Sequence, residues 1–231
     1  MRAPDPIWHP SPNFGDRRDG LRPTLVVIHY TAMNGAEAAL ERLCDPVAEV
    51  SAHYLIGADG TLWQMVEEAA RAWHAGAGTW AGQGDVNSRS IGIELDNRGT
   101  HPFSEPQMAA LEALLSGVMA RWGIRPAGVI GHSDMAPGRK SDPGHRFDWA
   151  RLARQGLALA HVPGQGDTPA PERFRALAAS AGYPAEQAAG EAAEDLLEAV
   201  RHRLRPWGRG PLCQADMDAL AGFAAARRAQ A

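Results

Sequence analysis

Two histidines, His29 and His132, each close a short apolar run, Thr24-Leu-Val-Val-Ile-His29 and Ala127-Gly-Val-Ile-Gly-His132. Asp142 follows in Lys140-Ser-Asp142-Pro-Gly144. Adjacent strand ends converge on one edge of a sheet, where α/β folds place their sites. Two imidazoles and a carboxylate make a three-ligand zinc set that leaves a fourth position for water. Spacing alone also fits a packed, hydrogen-bonded cluster, because nine histidines allow many pairings and HExxH is absent. Glu94 is a lone carboxylate in the apolar run Ile91-Gly-Ile-Glu94-Leu95. It is either an exposed alternate position or a buried general base with a raised pKa. Lys140 is the only lysine among 23 basic residues. A compact ammonium at that point suits an oxyanion, whereas a solvated loop cation needs no such choice. Trp73 and His74, in Arg71-Ala-Trp-His-Ala-Gly76, serve either as loop packing or as the wall of a polar groove.

These residues need a scaffold of strands and helices. The β-branched run 24–29 reads as a buried strand, and 35–43 as a short helix. Segments 53–57 and 61–66, joined by Ala58-Asp-Gly60, read as a hairpin. The Gly- and Ala-rich stretch 71–88 reads as loop, and 90–96 as a second core strand. Ser104 opens a helix to Trp122, with Met108, Leu111, Leu115 and Val118 at helical spacing. A third strand covers 127–132, a loop 133–145 and a helix 147–160. Strands interleaved with helices predict an α/β domain, a central mixed sheet flanked by helices, over 1–162. The Pro/Gly stretch 163–171 predicts a linker. Ala-rich stretches at 172–182, 186–204 and 213–228 predict a small three-helix module over 172–231.

The chain has 231 residues, 45% of them hydrophobic and 22% charged, enough for a real core. A net charge of -4 excludes a general nucleic-acid binder. No apolar run reaches the ~20 residues of a membrane span. Cys44 and Cys213 form no CxxC and no disulfide framework, as expected of free thiols in a reducing compartment. With no apolar leader at the start, the expected location is the cytoplasm; the alternative is an exported or periplasmic protein whose upstream signal lies outside this chain.

Taken in order, six strings resemble the zinc-dependent N-acetylmuramoyl-L-alanine amidases, the type-2 amidase and peptidoglycan recognition protein superfamily. They are Val27-Ile-His29-Tyr-Thr-Ala32, Val50-Ser-Ala-His53-Tyr-Leu-Ile56, Arg71-Ala-Trp-His-Ala-Gly76, Ser90-Ile-Gly-Ile-Glu94-Leu, Gly131-His132-Ser-Asp-Met-Ala-Pro137 and Arg139-Lys140-Ser-Asp142-Pro-Gly144. The tail is similar to the helical peptidoglycan-binding module attached to some of these enzymes. The resemblance implies that His29, His132 and Asp142 hold Zn2+, that Glu94 is the general base and that Lys140 stabilises the tetrahedral intermediate. It places Trp73, His74 and Asn87 beside the substrate and leaves His53 with a structural role. The implied partner is peptidoglycan or a muropeptide. The implied reaction cuts the amide between the muramoyl lactyl group and L-alanine, in 1,6-anhydro-muropeptides during cell-wall recycling. Two further readings stay open here: an exported hydrolase of intact wall, and a non-catalytic peptidoglycan-binding protein.

Overall fold

Leu25-Val-Val-Ile is apolar at every position, as a strand covered on both faces requires. In the computed structural model, which describes residues 5–185 and 191–230, this segment lies inside a six-stranded mixed sheet. The elements in order are β1 (Ile7–Trp8), β2 (Phe14–Gly15), β3 (Leu25–Tyr30), α1 (Ala36–Cys44), β4 (Tyr54–Ile56), β5 (Leu62–Gln64) and β6 (Arg71–Ala72). There follow α2 (Val86–Arg89), β7 (Ser90–Leu95), α3 (Glu105–Trp122), β8 (Val129–Gly131), α4 (His132–Met135) and α5 (Trp149–Arg154). The tail supplies α6 (Pro171–Ala181), α7 (Glu191–Leu204) and α8 (Gln214–Arg228). The sheet order is β1-β5-β4-β7-β3-β8, and β2 pairs separately with β6. β3 runs parallel to β7 and β8, and β4 pairs antiparallel with β5 as the expected hairpin.

Side chains alternate between the two faces of a strand. On one face Val26, Ile28, Ile91, Ile93 and Leu95 pack against α3 and α5. α3 begins where Ser104 accepts the Gln107 N–H at 3.3 Å and ends at Gly123, which adopts the left-handed region at φ 66°. The opposite face carries Leu25, Val27 and His29 on β3 and, in register, Ser90, Gly92 and Glu94 on β7. Its β4–β5 end is covered by α1, through Leu40 and Leu43 packed with Leu55 and Met65. Its β3–β8 end is covered by the tail: Leu25, Val27 and Ile130 share one apolar cluster with Phe174, Leu196, Val200, Leu220 and Phe223. A cleft remains between these two covers.

The mixed α/β sheet and the three tail helices follow the sequence expectation, although 186–190 of the middle helix lie outside the described residues. Several details differ, among them the third strand, expected over 127–132, which is confined to Val129–Gly131. The helix expected over 147–160 stops at Arg154, because the chain turns at Gly156 with φ 70°. The expected loop 133–145 opens with the short helix α4. The loop expected over 71–88 contains the two-residue strand β6 and most of α2. Inside the tail, Arg201 donates to both oxygens of buried Asp216, at 3.0 and 2.7 Å. No helix among the described residues is long and apolar enough to cross a membrane.

Candidate metal centre and active site

β3 and β7 lie side by side with His29 opposite Glu94, so both side chains leave the same face of the sheet. β8 pairs with β3 on its other side and hands the chain to α4, whose first residue is His132. The loop after α4 returns Asp142 to the same point. His29 Nδ1, His132 Nδ1 and Asp142 Oδ2 converge there: 2.9 Å between the two nitrogens, and 2.9 and 3.0 Å from each to the carboxylate oxygen. All three residues are buried.

The protons of this cluster can be placed from its neighbours. Ser90 Oγ donates to the Val86 carbonyl at 2.5 Å, so toward His74 Nε2, at 3.1 Å, it is an acceptor. His74 therefore carries its proton on Nε2, and its Nδ1 accepts from His29 Nε2 at 3.0 Å. That leaves His29 Nδ1 as a bare lone pair. His132 Nε2 donates to the Ala75 carbonyl at 2.9 Å, so its Nδ1 is bare as well. Burial, and then the neighbouring His132, lowers His29 to about 4, so it is neutral at pH 7. Asp142 enters as the carboxylate, the ordinary form of an aspartate at pH 7. Three lone-pair donors thus face one another with no proton among them, an arrangement that calls for a cation. They stand slightly closer than the about 3.3 Å edge of a tetrahedron of zinc ligands. The donor set and its outer hydrogen bonds fit zinc, whose histidine ligands commonly donate their second N–H to a carbonyl or another acceptor.

Glu94 lines the cleft beside this point. Its Oε2 is shielded from solvent and has no hydrogen-bond partner among the described residues. Burial raises its pKa to about 8; the charge of Asp142 adds to the rise and Lys140 opposes it. Lys140, Trp73 and Arg139 also line the cleft, which has a volume of about 580 Å³.

The structure brings His29, His132, Asp142, Glu94, Lys140, Trp73 and His74 to one cleft. Asn87 does not line it. Its buried Oδ1 instead accepts the backbone N–H groups of His74 and Ala75, at 3.1 and 2.8 Å, because the loop carrying them would otherwise leave two donors unpaired. Asn87, expected beside the substrate, stands behind the cleft lining and holds the loop whose His74 and Ala75 hydrogen-bond with His29 and His132. His53 is fully buried and sits under β7, its Nδ1 accepting the Gly92 N–H at 2.9 Å. Sequence reasoning missed Ser90 and Gly92. A Cβ at Gly92 would lie 2.4 Å from the His74 ring, so only glycine lets that ring rest on the sheet. The signal was the two-residue alternation Ser90, Gly92, Glu94, which assigns all three to one face.

The comparisons with known proteins agree with this geometry. The sequence profile of the N-acetylmuramoyl-L-alanine amidases matches residues 19–145. The chain is 42% identical over 149 residues to N-acetylmuramoyl-L-alanine amidase AmiD of Escherichia coli K12, a match spanning 58% of this chain and only about half, 53%, of that protein. It is 36% identical over 160 residues to 1,6-anhydro-N-acetylmuramyl-L-alanine amidase AmpD of Citrobacter freundii, covering 62% of this chain and 86% of AmpD. Among solved structures, E. coli AmiD in complex with anhydro-N-acetylmuramic acid-L-Ala-D-γ-Glu-L-Lys superimposes with a TM-score of 0.76 and 30% identity, covering 94% of this chain and 98% of that one. AmpDh3 from Pseudomonas aeruginosa gives 0.76 and 29%, covering 89% and 92%. A profile matched over more than half the chain and a structural likeness along almost its whole length have one meaning: this chain belongs to the N-acetylmuramoyl-L-alanine amidase family.

Proposed function

We propose that the chain hydrolyses the amide between the lactyl carbonyl of N-acetylmuramic acid and L-alanine in soluble 1,6-anhydro-muropeptides. In this reading His29, His132 and Asp142 hold zinc, Glu94 is the general base and Lys140 stabilises the oxyanion. The observation that carries it is the convergence of three proton-free donors beside the unpartnered oxygen of Glu94. Zinc, when bound, supplies a Lewis acid and an activated water at neutral pH. The chain supplies the rest. Glu94, as the carboxylate that a cation held beside it would favour against the burial that raises its pKa, takes a proton from the attacking water and returns it to the amine of the leaving L-alanine. The ammonium of Lys140 faces the charge that develops on the carbonyl oxygen. Trp73 forms an apolar wall of the cleft, and His74 and the Ala75 carbonyl keep the two ligand imidazoles in one tautomer. The anhydro-sugar preference draws on the ligands named for AmiD and for AmpDh3, the latter solved with an anhydromuramic pentapeptide.

Mass spectrometry of zinc-loaded protein with a soluble 1,6-anhydro-muropeptide tests this. Free stem peptide is expected, lost on chelation and restored by zinc. Intact substrate from folded, zinc-loaded protein overturns it. At Lys140, replacement by Ala is expected to lower kcat about 10²–10³-fold with zinc content unchanged. Lys140→Arg keeps the charge but not the compact geometry and should recover only part of the loss in steady-state assays.

The sites of action divide two further readings. Cys44 and Cys213 are both unpaired, which supports a cytoplasmic recycling role. The alternative is action on intact wall outside the membrane. Cell fractionation, with anhydro-muropeptides and whole sacculi assayed in parallel, separates them.

A further inference from the structure

The basic end of α7, Arg201-His-Arg203-Leu-Arg205, has the sequence of a solvated helix terminus, yet Arg203 is only 6% exposed. Its guanidinium lies 4.0 Å above the centre of the Trp149 ring and donates in two directions. Nη1 reaches Asp134 Oδ2 at 2.6 Å, and Nη2 reaches the Val129 carbonyl at 3.0 Å. Asp134 is 1% exposed and lies two residues beyond His132. Its Oδ2 also accepts the Gly131 N–H at 2.8 Å, which fixes the point where β8 becomes α4. Its Oδ1 accepts from the hydroxyl of buried Tyr183, at 3.0 Å. Arg203 and Tyr183 come from the tail; Val129, Gly131 and Asp134 bracket His132. β8 is a three-residue strand at the sheet edge, paired with β3 on one side only, so these contacts support its outer side.

α7 touches the same loop twice more. Asp195 lies against Gly138: a Cβ there would meet Asp195 Oδ2 at 2.2 Å. The ring of His202 lies 6.1 Å from that of His145. The segment from His132 to His145, which carries two of the three metal-facing side chains and Lys140, is thus seated along one helix of the tail.

We infer that Arg203 and Tyr183 are positioning residues of the metal centre: through Asp134 they set the turn that aims His132 Nδ1, so the tail helices contribute to zinc affinity and not only to stability. The inference rests on the reading of His29, His132 and Asp142 as metal ligands. It differs from a role for the tail in gripping polymer, since it assigns the tail a task inside the catalytic unit.

The test is the zinc Kd of the full chain, measured by competition with a chromophoric chelator well below the melting temperature, for wild type, Arg203→Met, Tyr183→Phe and Arg201→Met. Arg201→Met is the control: it breaks an equally buried Arg–Asp pair, with Asp216, that lies wholly within the tail. Removing an outer support of a metal ligand typically weakens binding about 10–100-fold. The lower end of that range is expected for Arg203→Met, a few-fold for Tyr183→Phe, and no change for Arg201→Met. A wild-type Kd in Arg203→Met overturns the inference, as does an equal weakening in Arg201→Met, which would reduce the effect to general loosening. Should Arg203→Met not fold, Tyr183→Phe decides, because it removes one hydroxyl and keeps the ring against Trp80; an unchanged Kd there refutes the inference. Wild-type protein that takes up no zinc would instead refute the metal reading itself, and this inference with it.

Discussion

Replacing Glu94 with Gln lowers kcat by about 10²–10⁴-fold while one zinc per chain is retained, the range expected for loss of a general acid–base group. The amide matches the carboxyl in size but cannot take a proton from water or pass one to the leaving amine. It also disturbs little else. Oε2 has no partner among the described residues, so no hydrogen bond is lost there and the substitution leaves a neutral group where burial already disfavours charge. Stability is therefore expected to be unchanged or slightly raised, which separates this variant from one that fails by unfolding. Steady-state kinetics, metal analysis and a thermal melt on the same preparation check the three parts. Near-normal turnover would remove Glu94 from the mechanism.

His132→Ala is expected to abolish both zinc binding and turnover. The effect on the metal-free protein is smaller, because removing one of three mutually facing lone-pair donors relieves crowding as well as opening a cavity. The diagnostic is linkage. A ligand that binds only the folded state stabilises it by RT ln(1 + [L]/Kd), about 4 kcal/mol at a thousandfold excess over Kd. Wild-type protein should therefore melt several degrees higher with zinc than with chelator. The variant should melt at one temperature under both conditions. A zinc-dependent rise that survives the substitution would show that the metal is held elsewhere.

The sheet was legible because its strands are short, apolar and punctuated: Leu25–Tyr30 and Ser90–Leu95 lie within a residue of their expected bounds. α3 was legible from the Ser104 cap and the spacing of Met108, Leu111 and Leu115. Placing His29 and His132 at adjacent strand ends needed only the rule that parallel strands deliver their carboxyl ends to one edge. What stayed hidden depends on contacts between distant segments. An amphipathic helix announces that it has an apolar face but not which sheet face it will cover, so the seating of α7 and α8 on Leu25, Val27 and Ile130 had no signature. β1 and β2, two residues each, are too short to show a period. Arg203 was indistinguishable from its neighbours, because burial of an arginine is decided by the aspartate that waits for it. Asn87, on α2, turned toward the backbone of the neighbouring loop, whereas His74 turned toward His29 and rests on Gly92.

The shared apolar cluster has a consequence for how the protein is made. On the ribosome every strand of the sheet has been synthesised once Gly131 emerges, but the cover over Leu25, Val27 and Ile130 is complete only when α6, α7 and α8, ending at Arg228, have followed. At ~5–20 residues per second that interval lasts about 5–20 s, long compared with hydrophobic collapse. The nascent chain therefore waits with an oily sheet face exposed, a natural client for a holding chaperone. A message cut short before α7 yields a polypeptide that keeps His29, His132 and Asp142 but lacks the helix packed along the segment that carries the latter two. Synthesis of α7 is thus a checkpoint: the turn that carries His132 gains its outer support only after that helix has been made.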